Sequence, residues 1–287
     1  MPDAADAQAA APSWVSVRVE VEAPAEASAA ARVLFEAGAA GVQEIGNVLA
    51  TYLPSTADLD AVRAMMSREA RHARMHCEPA PDAGRAERWA PRVGVQRVGR
   101  LTVAPPWLAE TSDAEGGVII IDPAMAFGTG EHPTTRGVLR LMQRIVHGGD
   151  RVADLGAGSA ILSIAAARLG AAWVAAIERD EDAIGNAESN VERNGVGDRV
   201  TVVHGDAGVL LPLVAPVQLI MANLFSSVLV RLSPAMREAL APGGHAIVSG
   251  VLLDERDQLL EAMDGDGWAL DADDTEAEWW SGVLHPQ

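Results

Sequence analysis

Two stretches of the sequence concentrate backbone freedom beside groups that could hold a ligand. FGTGEHPTT runs from Phe127 to Thr135, and DLGAGSA runs from Asp154 to Ala160. Glycine adopts conformations that other residues avoid, so a glycine-rich turn lets the main chain approach a bound molecule closely. Gly156 and Gly158 stand where the strand pattern RVADL gives way to a helix starting near Ile161, and a helix N-terminus offers unpaired N–H groups. Glu178 closes the next strand pattern, where a carboxylate can accept hydrogen bonds from both hydroxyls of a ribose. Asp206 ends the strand TVVHGD, placed to accept from the amino group of an adenine. Solvated acids are common at strand ends. Two at successive ends, behind a glycine loop, point to a nucleoside.

The dinucleotide fingerprint G-x-G-x-x-G needs a third glycine at position 161, which is isoleucine. A nucleoside without phosphates fits better. S-adenosylmethionine is such a ligand, combining ribose and adenine with an amino acid that carries its own charges.

For these residues to meet, strand ends must lie side by side. The second half of the chain alternates the two patterns regularly: RVADLG, ILSIAAARLG, WVAAIER, EDAIGNAESNVERNG, RVTVVHGD, QLIMANL, SSVLVRLSPAMREAL, GGHAIVSGV and DERDQLLEAM. This order predicts an open, mostly parallel, doubly wound α/β sheet, whose ligands bind beyond the carboxyl ends of the strands. WALDADDTEAEWWSGVLH predicts a final strand pair.

The first half reads differently. WVSVRVEVE alternates with period two, residues 24–39 have helical spacing, GVQEIGNVLATYLP reads as two short strands broken at Gly46-Asn47, and 57–76 reads as a second helix. In that helix Leu59, Val62, Met65 and Met66 share one face. With a closing strand near 73–79, this βαββα order predicts a small split-βαβ, ferredoxin-like α+β domain. Residues 78–115 are rich in proline, glycine and charge around the short strand VGRLTVAPPW, and GGVIIID is a continuous apolar run of the buried-strand kind.

At 287 residues and 49% hydrophobic, the chain suits two domains with a sizeable core. No apolar run is long enough to cross a bilayer. The N-terminus carries two aspartates and no basic residue before Arg18, unlike a secretory signal. The single cysteine, Cys77, excludes an internal disulfide and a cysteine-cluster metal site; no metal and a cytoplasmic location are expected. A formal charge of −18 opposes a broad nucleic-acid interface and favours a basic protein or peptide partner, although such acidity also serves solubility alone.

The stretch IIIDPAMAFGTGEHPTTRGVLRLM, residues 119–142, closely resembles the signature of the ribosomal protein L-eleven methyltransferases (PrmA type). The resemblance continues through VADLGAGSAILSIAAARLGA, NAESNVERNGVGDRV and IMANLFSSVLVRLSPAMREALAPGGHAIVSGVL, and is strong over roughly 116–260. It implies a seven-stranded methyltransferase sheet, S-adenosylmethionine as methyl donor, and methylation of lysine and α-amino groups of a basic ribosomal protein. The N-terminal domain would grip that protein, and a monomer is expected. The two glycine loops become two walls of one cofactor site. Thr135, Asp154, Gly156, Gly158, Glu178 and Asn223 fall in the implied cofactor set, joined by Asp206. Phe127 and Thr129 fall near the transferred methyl group. The implied organisation is a disordered tail over 1–12, a recognition domain over 13–80, a linker over 81–115 and a methyltransferase domain over 116–287.

Asn223, in ANLF, ends the fourth strand of the alternation, where the methyl acceptor arrives. A neutral amide can orient an amine lone pair through its carbonyl, whereas a carboxylate would favour the ammonium and remove the nucleophile. Desolvation by Phe127, Leu224 and Phe225 would help the amine lose its proton. His132 is expected to hold the turn, and ordinary helix capping is the alternative reading of Thr134 and Thr135. Methyltransferases acting on glutamine or adenine carry Asn-Pro-Pro-Tyr where this chain has Asn-Leu-Phe-Ser. The chain departs from the family at Ala124 and Ala160, which replace glycines, at Glu178, which replaces aspartate, and at Arg88-Trp89-Ala90-Pro91-Arg92, where a W-K-x-x-F-x-P segment is absent. Competing readings are a methyltransferase for another protein or small amine, a catalytically silent relative, and, last, a nicotinamide dehydrogenase.

Overall fold

The structure is a computed structural model that describes residues 14–22, 24–39, 42–45, 47–79, 93–109, 117–122 and 128–287. The tail expected over 1–12 lies outside these residues, as do Phe127, Ala124 and the segment 88–92. The chain divides into two compact units, with the boundary between Glu87 and Arg88.

In the first unit, β1 (Trp14–Glu20), α1 (Pro24–Glu36), β2 (Gln43–Ile45), β3 (Val48–Pro54), α2 (Leu59–Glu69) and β4 (Arg74–Pro79) follow one another. The strands form one antiparallel sheet in the order β2-β3-β1-β4. Val17 and Val19 of β1 pack with Leu34, Leu49, Leu53, Val62 and Met66 in a single core, and Leu59 and Met65 join its edge. Helix α2 begins where Asp58 Oδ1 accepts from Asp60 N and Ala61 N at 3.1 and 3.0 Å, a cap worth about 1 kcal/mol. It ends at Glu69, seven residues short of the expected 76, because residues 74–79 are committed to pairing with β1. There the alternation of exposed Arg74, His76 and Glu78 with half-buried Met75 and Cys77 is that of a strand.

The second unit opens with β5 (Gln96–Val98), β6 (Leu101–Ala104), the short α3 (Pro106–Ala109) and β7 (Val118–Ile120). They form a three-stranded sheet, β5-β6-β7. Val98, Leu101 and Val103, in the stretch expected as linker, are buried in the same core as the following helices. Then come α4 (Pro133–Ile145), β8 (Arg151–Leu155), α5 (Ile161–Leu169), β9 (Trp173–Glu178), α6 (Glu181–Arg193), β10 (Val200–His204), α7 (Ala207–Val214), β11 (Val217–Asn223), α8 (Ser226–Ala239), β12 (Leu240–Leu252), α9 (Arg256–Gly265), β13 (Trp268–Glu276) and β14 (Trp279–Pro286).

The main sheet has seven strands in the order β10-β9-β8-β11-β12-β14-β13. Strands β8 to β12 pair in parallel, and β14 runs antiparallel between β12 and β13. Chain order reverses between β8 and β11, and such a switch point opens a crevice beyond the strand ends. Alternate residues feed two cores. Val152, Val174, Leu219 and Met221 face the α4–α5 side. Ala153, Leu155, Ile177, Ile220 and Ala222 face α8 and α9. Each large apolar side chain buried this way contributes about 1.5–3 kcal/mol.

Strand β7 leads into the first glycine loop, and asparagines in and just after α6 support it. Asn194 Oδ1 accepts from Ile120 N at 2.9 Å while its Nδ2 donates to Ile120 O at 2.7 Å, so one side-chain amide replaces a neighbouring strand. Asn190 Oδ1 accepts from Asp122 N at 2.9 Å.

Candidate active site

The two glycine loops touch. Ser159 Oγ, in the second, donates to Gly128 O, in the first, at 2.7 Å, and Asn190 Nδ2 donates to Ser159 O at 3.1 Å. A side chain on Gly128 (φ +107°) would meet that same Ser159 hydroxyl at 2.8 Å. The glycine is therefore set by the close approach of the two walls.

Asp154 lies on β8 facing α5 and is 1% exposed. Its Oδ2 accepts from Ser163 Oγ at 2.6 Å, and its Oδ1 has no partner among the described residues. Burial pushes its pKa up to about 7, and the Glu178 charge adds to the rise while the Ser163 bond opposes it. Thr135, 1% exposed on α4, likewise has a buried hydroxyl without a partner among the described residues. Two orphaned buried oxygens are costly unless a ligand satisfies them. An acceptor at Asp154 and a donor–acceptor at Thr135 suit an ammonium and a carboxylate, the amino-acid end of S-adenosylmethionine.

Glu178 is held hard at the end of β9. Its Oε2 accepts from Gly158 N at 2.8 Å, and its Oε1 accepts from Arg179 N and Asp180 N at 2.7 and 2.8 Å. The loop amide at Gly158 thus fixes the acid, which keeps a further lone pair on Oε2 for a ribose hydroxyl. Gly156 (φ +75°) takes a backbone shape that a side chain would strain, and its N–H donates to Ile177 O at 2.9 Å. Ala160, which replaces a glycine of the family pattern, sits at φ 63°; an alanine bears this at a cost of about 1 kcal/mol. Asp206 is exposed and lies two residues past the end of β10, not at its last position. It caps α7, its Oδ1 accepting from Gly208 N at 2.8 Å. Its second oxygen is in no capping bond.

On the acceptor side, Asn223 ends β11, and its Nδ2 donates to Thr134 Oγ1 at 3.1 Å. Thr134 Oγ1 stands 2.8 Å from His132 Nδ1, which caps α4 by accepting from Thr134 N at 3.4 Å. Burial holds the His132 pKa down at about 4, with Arg136 adding to the depression, so the ring is neutral near pH 7 and its Nδ1 is an acceptor. The hydrogen bonds then run in one direction, from Asn223 amide to Thr134 hydroxyl to His132. Ser249 Oγ donates to Thr134 O at 3.2 Å and backs the turn. Thr129, half-buried, accepts from Glu131 N at 3.4 Å, and Glu131 Oε1 accepts from Gly94 N at 3.1 Å.

Two contributors were not anticipated from sequence. Trp279 stacks edge-on against His132 with ring centroids 4.9 Å apart. Ser159 joins the loops; its place in a glycine-loop turn was the available signal. Trp279 gave none, since β14 returns from the far end of the chain.

A switch-point crevice, a glycine loop pinned to a strand-end acid and an asparagine at the neighbouring strand end define a Rossmann-like methyltransferase. The family model described as Ribosomal protein L11 methyltransferase (PrmA) matches residues 16–285, and the chain belongs to that family. A relative from Chloroflexus aurantiacus, named Ribosomal protein L11 methyltransferase, is 37% identical over 261 residues, covering 80% of each chain. A relative of the same name from Thermus thermophilus is 35% identical over 86% of this chain and 90% of its own. A solved structure of ribosomal protein L11 methylase from Lactobacillus delbrueckii superposes with a TM-score of 0.60 at 27% identity, covering 68% of this chain and 99% of the other.

Proposed function

We propose that this chain methylates lysine and α-amino groups of ribosomal protein L11, with S-adenosylmethionine as donor. When bound, S-adenosylmethionine supplies a methyl group carried on a positive sulfur. Thr135, Asp154, Gly156, Gly158, Glu178, Asp206 and Asn223 hold the donor in this reading, and Thr129 and Phe127 line the methyl group.

The single observation that carries the acceptor chemistry is the hydrogen bond from Asn223 to Thr134. With its NH2 engaged there, the amide keeps its Oδ1, beside the bare α-carbon of Gly250, as its acceptor atom. That oxygen takes an N–H of the incoming amine and aims the lone pair. A lysine with a reference pKa of about 10.4 must lose a proton first. A neutral amide does not oppose this loss as a carboxylate would. His132, with its low pKa and its place behind Thr134, holds the array and takes no proton from the amine. Positioning supplies most of the rate.

The first unit grips the protein substrate in this reading, and the net charge of −18 draws a basic partner to the enzyme and turns nucleic acid away. Among the described residues no helix is long and apolar enough to cross a membrane. A ribosomal protein substrate puts the work in the cytoplasm, and a monomer suffices for it.

Asn223→Asp tests the acceptor chemistry. The aspartate has the shape of the amide and can accept from Thr134 if that hydroxyl turns from His132, so the fold is kept, but it stabilises the ammonium. The expected result at pH 7.5 is a fall in kcat of about a hundredfold, partly recovered as pH rises towards the lysine pKa. A variant within about threefold of wild type at pH 7.5 would contradict the role given to the amide.

A further inference from the structure

Leu224 follows Asn223 on the acceptor side, and its side chain packs against the second glycine loop. Its Cδ2 lies 2.6 Å from the point a Cβ on Gly156 would occupy, so the leucine rests on the bare α-carbon of the cofactor loop. Its main chain is held equally closely on the other side. Leu224 N donates to Ser249 O at 2.9 Å, and Leu224 O lies 2.6 Å from the Cβ position of Gly250. Asn223 Oδ1 lies 3.0 Å from that same position. Both glycines have positive φ, +75° and +82°. The turn that carries Asn223 is thus wedged between two backbones that admit no side chain.

A close-packed contact transmits displacement, because a gap under a side chain is filled only by moving what surrounds it. Whatever sets the Leu224–Gly156 contact also sets the spacing between the loop on one side of the crevice and the asparagine on the other. In group transfer a misplacement of about 1 Å can cost a hundredfold in rate. We propose that Leu224 is a positioning residue that fixes the separation of methyl donor and acceptor amine, by seating the Asn223 turn on the bare α-carbon of Gly156. This inference rests on the reading that the Gly156 loop holds the donor and that Asn223 meets the amine. Leu224 acts through the Gly156 loop and the Asn223 turn that it packs between. Its length, not its polarity, does the work.

The test compares wild type, Leu224→Ala, Leu224→Val and Leu224→Met, with S-adenosylmethionine and ribosomal protein L11. It measures donor Kd by calorimetry, acceptor KM and kcat. The expected result is a fall in kcat of about tenfold or more for Leu224→Ala, an intermediate fall for Leu224→Val, and recovery to within about threefold by Leu224→Met. Donor Kd and acceptor KM stay within about threefold throughout. Where the alanine variant does not fold, the valine and methionine pair decides alone. An unchanged kcat overturns the proposal. So does a loss of donor or acceptor affinity in its place, because Leu224 would then form part of a binding surface. Failure of the wild-type protein to bind the donor or to methylate L11 strikes the functional reading instead.

Discussion

Asp154 carries its charge at a cost. It is fully buried, its Oδ1 lacks a partner among the described residues, and its pKa stands at about 7 against an ordinary 3.8. In the free protein the proton is held between those values, so this group's contribution to stability is lost as pH rises from about 4 towards 7. A donor whose ammonium pairs with the ionised acid reverses that preference and binds the charged form. Affinity for S-adenosylmethionine is therefore expected to weaken by up to about tenfold per pH unit below 7 and to level off above it. Calorimetric titrations between pH 5.5 and 8.5 check this, and a Kd flat across that range would separate Asp154 from the donor. Burial holds His132 neutral too, and there it serves as a fixed acceptor for Thr134.

Element by element, the site depends on parts that are not themselves at its centre. Strand β7 leads into the first glycine loop, and both polar backbone groups of Ile120 are satisfied by the side chain of Asn194, 5% exposed on the far end of α6. Replacing it with alanine orphans a half-buried N–H and C=O, at up to about 1–3 kcal/mol for each group before any relaxation. Asn194→Ala is expected to destabilise the protein by about 2–3 kcal/mol in denaturant unfolding; a change below about 0.5 kcal/mol would mean that another group pairs with β7. No sequence pattern announces this bond, because the partners are 74 residues apart and an asparagine before glycine reads as a helix end. The alternation from β8 to α9 was legible, since each segment repeats its own period and bounds itself with glycine or an acid. The end of α2 was not, because arginines at 71 and 74 suit a helix terminus as well as a strand edge, and pairing with β1 decided between them. At the site, Glu178 and Asn223 were legible as strand ends. The cap formed by Asp206 and the wedge formed by Leu224 depend on packing that a one-dimensional pattern does not contain.

For the molecule as a whole, a net charge of −18 favours the basic protein substrate proposed above. All 22 basic side chains are arginine and the chain contains no lysine. The enzyme therefore offers no ε-amine of its own, and any methyl-lysine formed in a mixture belongs to the substrate. The most direct measurement is transfer of labelled methyl from S-adenosylmethionine to purified ribosomal protein L11, run with wild type and with Glu178→Ala. The expected result is label in lysine and α-amino groups of L11 with the wild type, and a loss of about tenfold or more at limiting donor with the variant. No label in L11, under conditions where calorimetry shows the donor bound, would contradict the account and send the search to another amine.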